Sequence, residues 1–275
     1  GSGVVIQNTG LWQDQNTVDT RISNDFGGPA SSFVNSGSYV KSAGTNTTSI
    51  FIGFSNTGTV DVQGGALELS GGGTSSGSFT GSAGSTLGFG GGHSLGAASS
   101  VSGANVRFTG GTNTLAGSYV ATQSTSFTGG GTSTLSGTVS GVGTALSASG
   151  GLGIFANAQG ITTGAITISS GGLTFNNTGG VAAATLGLSA GTLAGTAAVT
   201  VSGVMTWTGG TMTGTGQTVV NGSLLIGGAT LKDITQRTLV NAGTATWAEG
   251  VNGRIRTGSG VVIQNTGLWQ DQNTV

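Results

Sequence analysis

Residues 106–111 read Val-Arg-Phe-Thr-Gly-Gly, residues 166–171 read Ile-Thr-Ile-Ser-Ser-Gly, and residues 205–210 read Met-Thr-Trp-Thr-Gly-Gly. In each, apolar and small or polar residues alternate and a glycine follows, the pattern of a short strand closed by a turn. The apolar residue that closes the strand comes round again. Phe89, Phe108, Phe127, Ala148, Ile168, Leu188, Trp207 and Ile226 are separated by 19, 19, 21, 20, 20, 19 and 19 residues. A period near 20 marks a solenoid; it is too short for a helical repeat and suits one turn of a β-coil. The expected fold is all-β, a single-stranded parallel β-helix, with right-handed winding.

Extended outward, the column takes in Trp12, Tyr39 and Val62 before Phe89, and Trp247 and Trp269 after Ile226. Its twelve steps from Trp12 to Trp269 span 257 residues, so the expectation is about 12 rungs of 19–27 residues per period. The number 257 has independent support. Residues 1–18 read GSGVVIQNTGLWQDQNTV, and residues 258–275 repeat them without a change. Residues 1–257 are therefore read as one full period and residues 258–275 as the start of the next. A deliberate duplication, made to cap a recombinant repeat, is the alternative.

Composition narrows the class. The 275 residues include 58 Gly and one Pro, about a fifth of the chain and below the roughly 25–30% typical of low-complexity disorder. Regularly spaced Val, Ile and Thr also argue against disorder. Only 5% of residues are charged and the net charge is −1, so a phosphate-binding surface for nucleic acid is not expected. No apolar run is long enough to span a membrane as a helix. With no Cys there is neither a disulfide nor a thiolate metal site. Between residues 70 and 231 the sole charged side chain is Arg107, a composition that fits a secreted fibre better than a cytosolic enzyme.

A second motif is apolar-x-Asn-small-Gly, centred on Asn8, Asn35, Asn56, Asn177 and Asn241, with Asn265 as the copy of Asn8. Asn and Gly tolerate positive φ, so these are read as corners between strands. Stacked corner amides would form a hydrogen-bonded ladder along the axis. The long early steps place extra residues at 18–31, 41–52 and 70–78, the last with flexible-linker composition. Insertions in a solenoid go to its surface, and Asp19, Arg21, Asp25, Phe26 and Pro29 of the first are the candidate lateral contact.

Chemistry is sparse. Asp61 and Glu68 each stand between two apolar residues, so alternation turns them outward, and no cluster of Asp, Lys and Arg accompanies them. His93 is alone after Gly90-Gly91-Gly92 and is read as a solvent-facing turn residue. The glycine pairs lack the Asp of calcium-binding repeats, and no glycine run carries a phosphate-loop lysine. The four tryptophans fall in the apolar column and are read as core. Thr112-x-Thr114, Thr132-x-Thr134 and Thr211-x-Thr213 form a broken array of the kind seen on ice-binding solenoids. No catalytic residue, metal or cofactor is expected.

The phrases Phe54-Ser-Asn-Thr-Gly-Thr-Val-Asp-Val-Gln-Gly64 and Met205-Thr-Trp-Thr-Gly-Gly-Thr-Met-Thr-Gly214 resemble the repeats of large exported bacterial β-helices. Filamentous haemagglutinin-type adhesins, autotransporter passengers and giant tandem-repeat surface proteins are the families meant. The resemblance implies secretion to the bacterial cell surface as a stalk, adhesin or filament. The expected function is a structural segment of an extracellular fibre, built from repeats joined head to tail and open to contact with neighbouring filaments. An adhesin stalk displaying loop 18–31 to a glycan or another cell is the runner-up. A polysaccharide-active enzyme or an ice-binding solenoid comes third.

Overall fold

The computed structural model describes residues 3–249 and 253–273. The chain is all-β, and no described residue is helical, so no helix is long and apolar enough to cross a membrane. Its strands are parallel and stacked as a β-solenoid of about 12 turns, divided between two compact units, Gly1–Gly143 and Thr144–Val275. The division falls away from the repeat boundary at 257. In a solenoid each turn touches only its neighbours, so a repeat boundary need not be a packing boundary.

Unit 1 coils through three parallel stacks. Val5–Asn8, Ser32–Asn35 and Gly53–Asn56 begin the first, Leu11–Asp14, Ser38–Lys41 and Thr59–Val62 the second, and Thr20–Ile22, Thr47–Ile50 and Ala66–Leu69 the third. Alternate side chains face inward because the strand period is two. In Ala66–Leu69, Leu67 and Leu69 are buried core, and Glu68 lies on the opposite face, where Arg107 covers it to 7% exposure. Unit 2 has the same three-stack construction, seen in the runs Val199–Val201 to Gln217–Val220, Val204–Trp207 to Ser223–Gly228, and Thr192–Ala194 to Gly210–Met212.

Register fixes the core columns. In unit 1, Phe89 stacks under Phe108 and Phe108 under Phe127, and below them come Leu69, Ile50 and Ile22. In unit 2, Ala148, Ile168, Leu188, Trp207, Ile226 and Trp247 lie one above another. The outward extension of the sequence column departs from the structure at both ends. Trp12 stacks under Tyr39, but that column continues through Val60 and Phe79, whereas Val62 stands over Lys41 and Asp14. At the other end Trp247 underlies Asp271, and Trp269 sits on Ala245 in the adjacent inward column. A turn carries several inward columns two residues or one strand apart, and a spacing near 20 cannot distinguish them. The Phe89 column therefore runs in the stack of Thr20–Ile22, whereas the Trp207 column runs in the stack of Leu268–Asp271, the copy of Leu11–Asp14.

The Asn-x-Gly corners stand between short strands, but the asparagines do not turn the chain through positive φ. The one described non-glycine residue with positive φ is Gln236; Asn8, Asn35, Asn56, Asn241 and Asn265 are the last residues of their strands, and Asn177 lies two residues beyond the strand that ends at Phe175. Above the first turn, the glycine that follows serves close approach. A Cβ on Gly37 would run into the Gly10 carbonyl, one on Gly58 into that of Gly37, and one on Gly77 into that of Gly58. The supposed insertions shrink as well. Thr20–Ile22, Thr47–Ile50 and Gly73–Ser75 are strands of the stacks, so residues 70–78 are no linker. Gly72 and Gly73, at φ of 70° and 146°, turn the chain there, a geometry glycine adopts freely.

Candidate functional site

The described polar side chains gather in a few places, and most of them are inside. Asn8 donates from Nδ2 to Asn35 Oδ1 at 2.7 Å, and Asn35 to Asn56 Oδ1 at 2.8 Å. The same donors reach the Ser38 and Thr59 carbonyls at 2.9 Å. Asn35 and Asn56 have no exposed surface. Further along, the column becomes Ser75, Leu95, Leu115 and Leu135. Asn241 donates to Asn265 at 2.7 Å in unit 2. Among the described residues Asn177 has no amide partner of this kind; its Nδ2 donates to the Gly180 and Gln159 carbonyls.

The change from amide to leucine along one column gives a test. Asn35→Leu alone is expected to cost about 2–3 kcal/mol, because it strands the buried Asn56 Oδ1. Replacing Asn8, Asn35 and Asn56 together by Leu is expected to cost less than the three single changes added. Urea midpoints of the four variants check this, and strictly additive costs would refute the ladder.

On the same turns, in the neighbouring stacks, lies a buried ionic cluster. Asp14 Oδ2 accepts from Thr48 Oγ1 at 2.6 Å and from the Tyr39 hydroxyl at 3.0 Å, and Oδ1 accepts from Asn16 Nδ2 at 2.7 Å. Lys41, with no exposed surface, places Nζ 3.9 Å from Asp14 Oδ2 and donates to Thr48 Oγ1 at 3.3 Å. Burial alone would raise the Asp14 pKa. The Thr48 and Asn16 hydrogen bonds, the Lys41 charge and the Tyr39 hydroxyl outweigh it and hold the group below 3.8. Burial and the facing carboxylate push the Tyr39 phenol far up.

A carboxyl whose native pKa is depressed adds stability that is complete above its unfolded value and is lost as pH falls through the native one. Asp14→Asn should therefore be less stable than the parent at pH 7 and lose less stability between about pH 5 and pH 2. Urea titrations at both ends of that range check it, and parallel losses would contradict it.

Arg237 is the largest buried cation of unit 2 and has no exposed surface. Its Nε donates to Thr218 Oγ1 at 2.8 Å, and its terminal nitrogens donate to the carbonyls of Gly195, Thr213, Ala197 and Gln217 at 3.0–3.3 Å. Burial lowers its pKa to about 10, which leaves it charged at neutral pH. Lys232, also buried, donates to the carbonyls of Gly228 and Thr230. Sequence reading missed Asp14, Lys41, Lys232 and Arg237. A signal existed for the first two: Asp14 is two residues from Trp12 and Lys41 two from Tyr39, so each shares an inward face.

The outward carboxylates are paired. Glu68 meets Arg107 two turns away, reaching across Gly88, where any Cβ would strike its carboxylate. Burial raises the Glu68 pKa, and Arg107 opposes that shift. Asp61 accepts from Thr80 and Gln63, and Asp233 pairs with Arg256 at 2.6 Å. Among the described residues no group of three or more His, Asp and Glu side chains gathers. His93 is no turn residue. It lies on strand His93–Leu95 with 1% exposure, its Nε2 2.9 Å from the Leu69 carbonyl and its ring edge-on to Phe89. The alternation through Leu95 carries it inward, and burial lowers its pKa.

In the early loop, Asp19 accepts from the Thr47 backbone N–H at 2.7 Å and Arg21 pairs with Asp25 at 3.0 Å. Asn24 donates to the Pro29 carbonyl, and Phe26 between them is fully exposed. Thr112 and Thr114 pair with Thr132 and Thr134 in unit 1, while Thr211 pairs with Thr192 in unit 2. A longer outward hydroxyl column runs through Ser38, Thr59, Ser78, Ser100, Ser118 and Thr138.

The two copies of the repeated segment occupy complementary places. In unit 1 the first copy lies under the following turn, with Val5–Asn8 on Ser32–Asn35 and Leu11–Asp14 on Ser38–Lys41. In unit 2 the second copy lies over the preceding turn, with Val262–Asn265 on Thr238–Asn241 and Leu268–Asp271 on 244–247. Comparison of the chain with protein-family models, with curated proteins and with solved structures found no match.

Proposed function

We propose that this chain is a structural segment of an extracellular bacterial fibre or giant surface protein built from head-to-tail β-solenoid repeats. One observation carries the reading. The same short segment pairs through one edge in its first copy and through the other edge in its second. A segment with both edges paired joins the last turn of one repeat to the second turn of the next. A join between two different surfaces is heterologous and propagates without closing.

The fibre would hold through parallel backbone ladders along its axis and a core of stacked Phe, Trp, Leu, Ile and Val. Hydroxyl-bearing outer columns would keep it wetted with little charge. The test is a series of chains with one, two and four periods, whose particle length in electron micrographs should grow in proportion to the number of periods. Separate compact particles, one per period, would overturn the proposal. Gel mobility of the denatured native material then separates covalent arrays from docked subunits: very large chains mean the first, and a band near 26 kDa the second.

A second reading, an adhesin stalk, is favoured by Phe26, which stands fully exposed between the Arg21–Asp25 pair and Pro29. Binding to glycan arrays or cells that is lost when residues 23–31 are replaced by a short glycine turn would support it. This replacement spares the core strand Thr20–Ile22.

A further inference from the structure

We infer that Trp247 of one repeat plugs a cavity beneath the first turn of the next, so that each repeat selects a second copy of itself as its axial neighbour. The inference rests on the head-to-tail reading above and names the residues of the join. In unit 1 a cavity is lined by Trp12, Asp14, Ile22, Tyr39 and Thr48. Trp12 faces inward, packed edge-on against Phe33 at 5.1 Å, yet remains 36% exposed. Asp14, Tyr39 and Thr48 of the ionic cluster border this cavity while remaining at most 4% exposed, so the surface it leaves uncovered is that of Trp12.

Unit 2 shows what belongs beneath that turn. Asp271 and Trp269 are the sequence copies of Asp14 and Trp12. They lie over Trp247 and Ala245 in the parallel register. Trp247 continues the inward column of Leu188, Trp207 and Ile226, each at most 2% exposed, but is itself half-buried. Transferred by identity, the register places a large ring under the small Asp14 and a methyl group under the large Trp12. Large faces small at both positions, the arrangement by which layers interdigitate without voids.

Two neighbouring features fall into line with this fit. Asn241 bonds the copy of Asn8, which joins it to the amides of Asn35 and Asn56. Gly267, the copy of Gly10, lies so close to Gly243 that a Cβ would strike its carbonyl, as a Cβ on Gly37 would strike Gly10. The join therefore carries a continuous amide ladder, a continuous glycine column and one aromatic plug. The plug fills the cavity that the Asp14–Lys41 cluster borders, so a foreign edge lacking Trp247 would leave that cavity empty and Trp12 uncovered.

The test uses a tandem of two complete periods, with Trp247→Ala placed in the first period only or in the second only. In the first period Trp247 faces the cavity of a following repeat; in the second it faces only the terminal copy. The inner substitution is expected to reduce the folding constant by about tenfold more than the outer one, and Trp247→Phe at the inner site should restore most of that loss. Equal effects at the two sites, in a tandem that unfolds as one unit, would overturn the plug and leave the fibre reading standing. Two independent transitions, each at the midpoint of the single period, would overturn both.

Discussion

Phe108→Ala is expected to lower the stability of unit 1 by about 3–5 kcal/mol. The ring has 2% exposure and is held between two others, Phe89 at 5.9 Å and Phe127 at 5.1 Å, both stacked, with interplanar angles of 26° and 11°. Its removal takes away the buried area, opens a void and breaks two aromatic contacts worth about 0.5–1.5 kcal/mol each beyond area. Little can relax to fill the space, because the strands above and below are fixed by parallel register. Phe108→Leu should cost clearly less. Urea unfolding monitored by circular dichroism decides it, and a cost below about 1 kcal/mol would mean that the stacked column is not what holds these turns together.

The second large effect belongs to unit 2. Arg237→Ala is expected to cost about 3–5 kcal/mol, a magnitude typical of breaking a buried charged network. Among the described residues the guanidinium has no carboxylate partner; it spends its donors on Thr218 Oγ1 and four carbonyls from the two turns that precede its own. It thus pins one corner of the coil across several turns. Arg237→Lys, which keeps the charge but loses the planar fork, should recover only part of the stability. Arg237→Met supplies bulk without donors and separates filling from bonding. If Met matched the parent, the contribution would be volume alone, and the carbonyl cage would be incidental.

These residues show where the reading of the chain worked and where it stopped. The fold class was legible because a parallel coil repeats its inward positions at nearly constant spacing, as Phe89, Phe108 and Phe127 do. The amide ladder through Asn8, Asn35 and Asn56 was legible for the same reason. The column assignment of Val62 and Trp269 was not. Each turn has three stacks and more than one inward position per strand, and spacing alone does not say which of two neighbouring columns a residue joins. Asp14 and Lys41 escaped notice because charged residues are read as surface by default. Only the placement of Thr48 and Tyr39 around them shows how the interior satisfies both. His93 was misplaced because three preceding glycines suggested a turn, whereas two of them bend the chain at positive φ and release it into a strand.

The sequence by itself determined the period, the β character and the existence of a repeated segment, since each is a one-dimensional regularity imposed by stacking identical windings. What lies over what was decided by tertiary structure alone: Trp247 under the copy of Asp14, Arg107 across Gly88 onto Glu68, Arg237 into a cage of carbonyls. The physical reason is that hydrogen bonds and ring contacts join residues one or two turns apart, and a shift of two residues in register keeps the alternation intact while changing every partner.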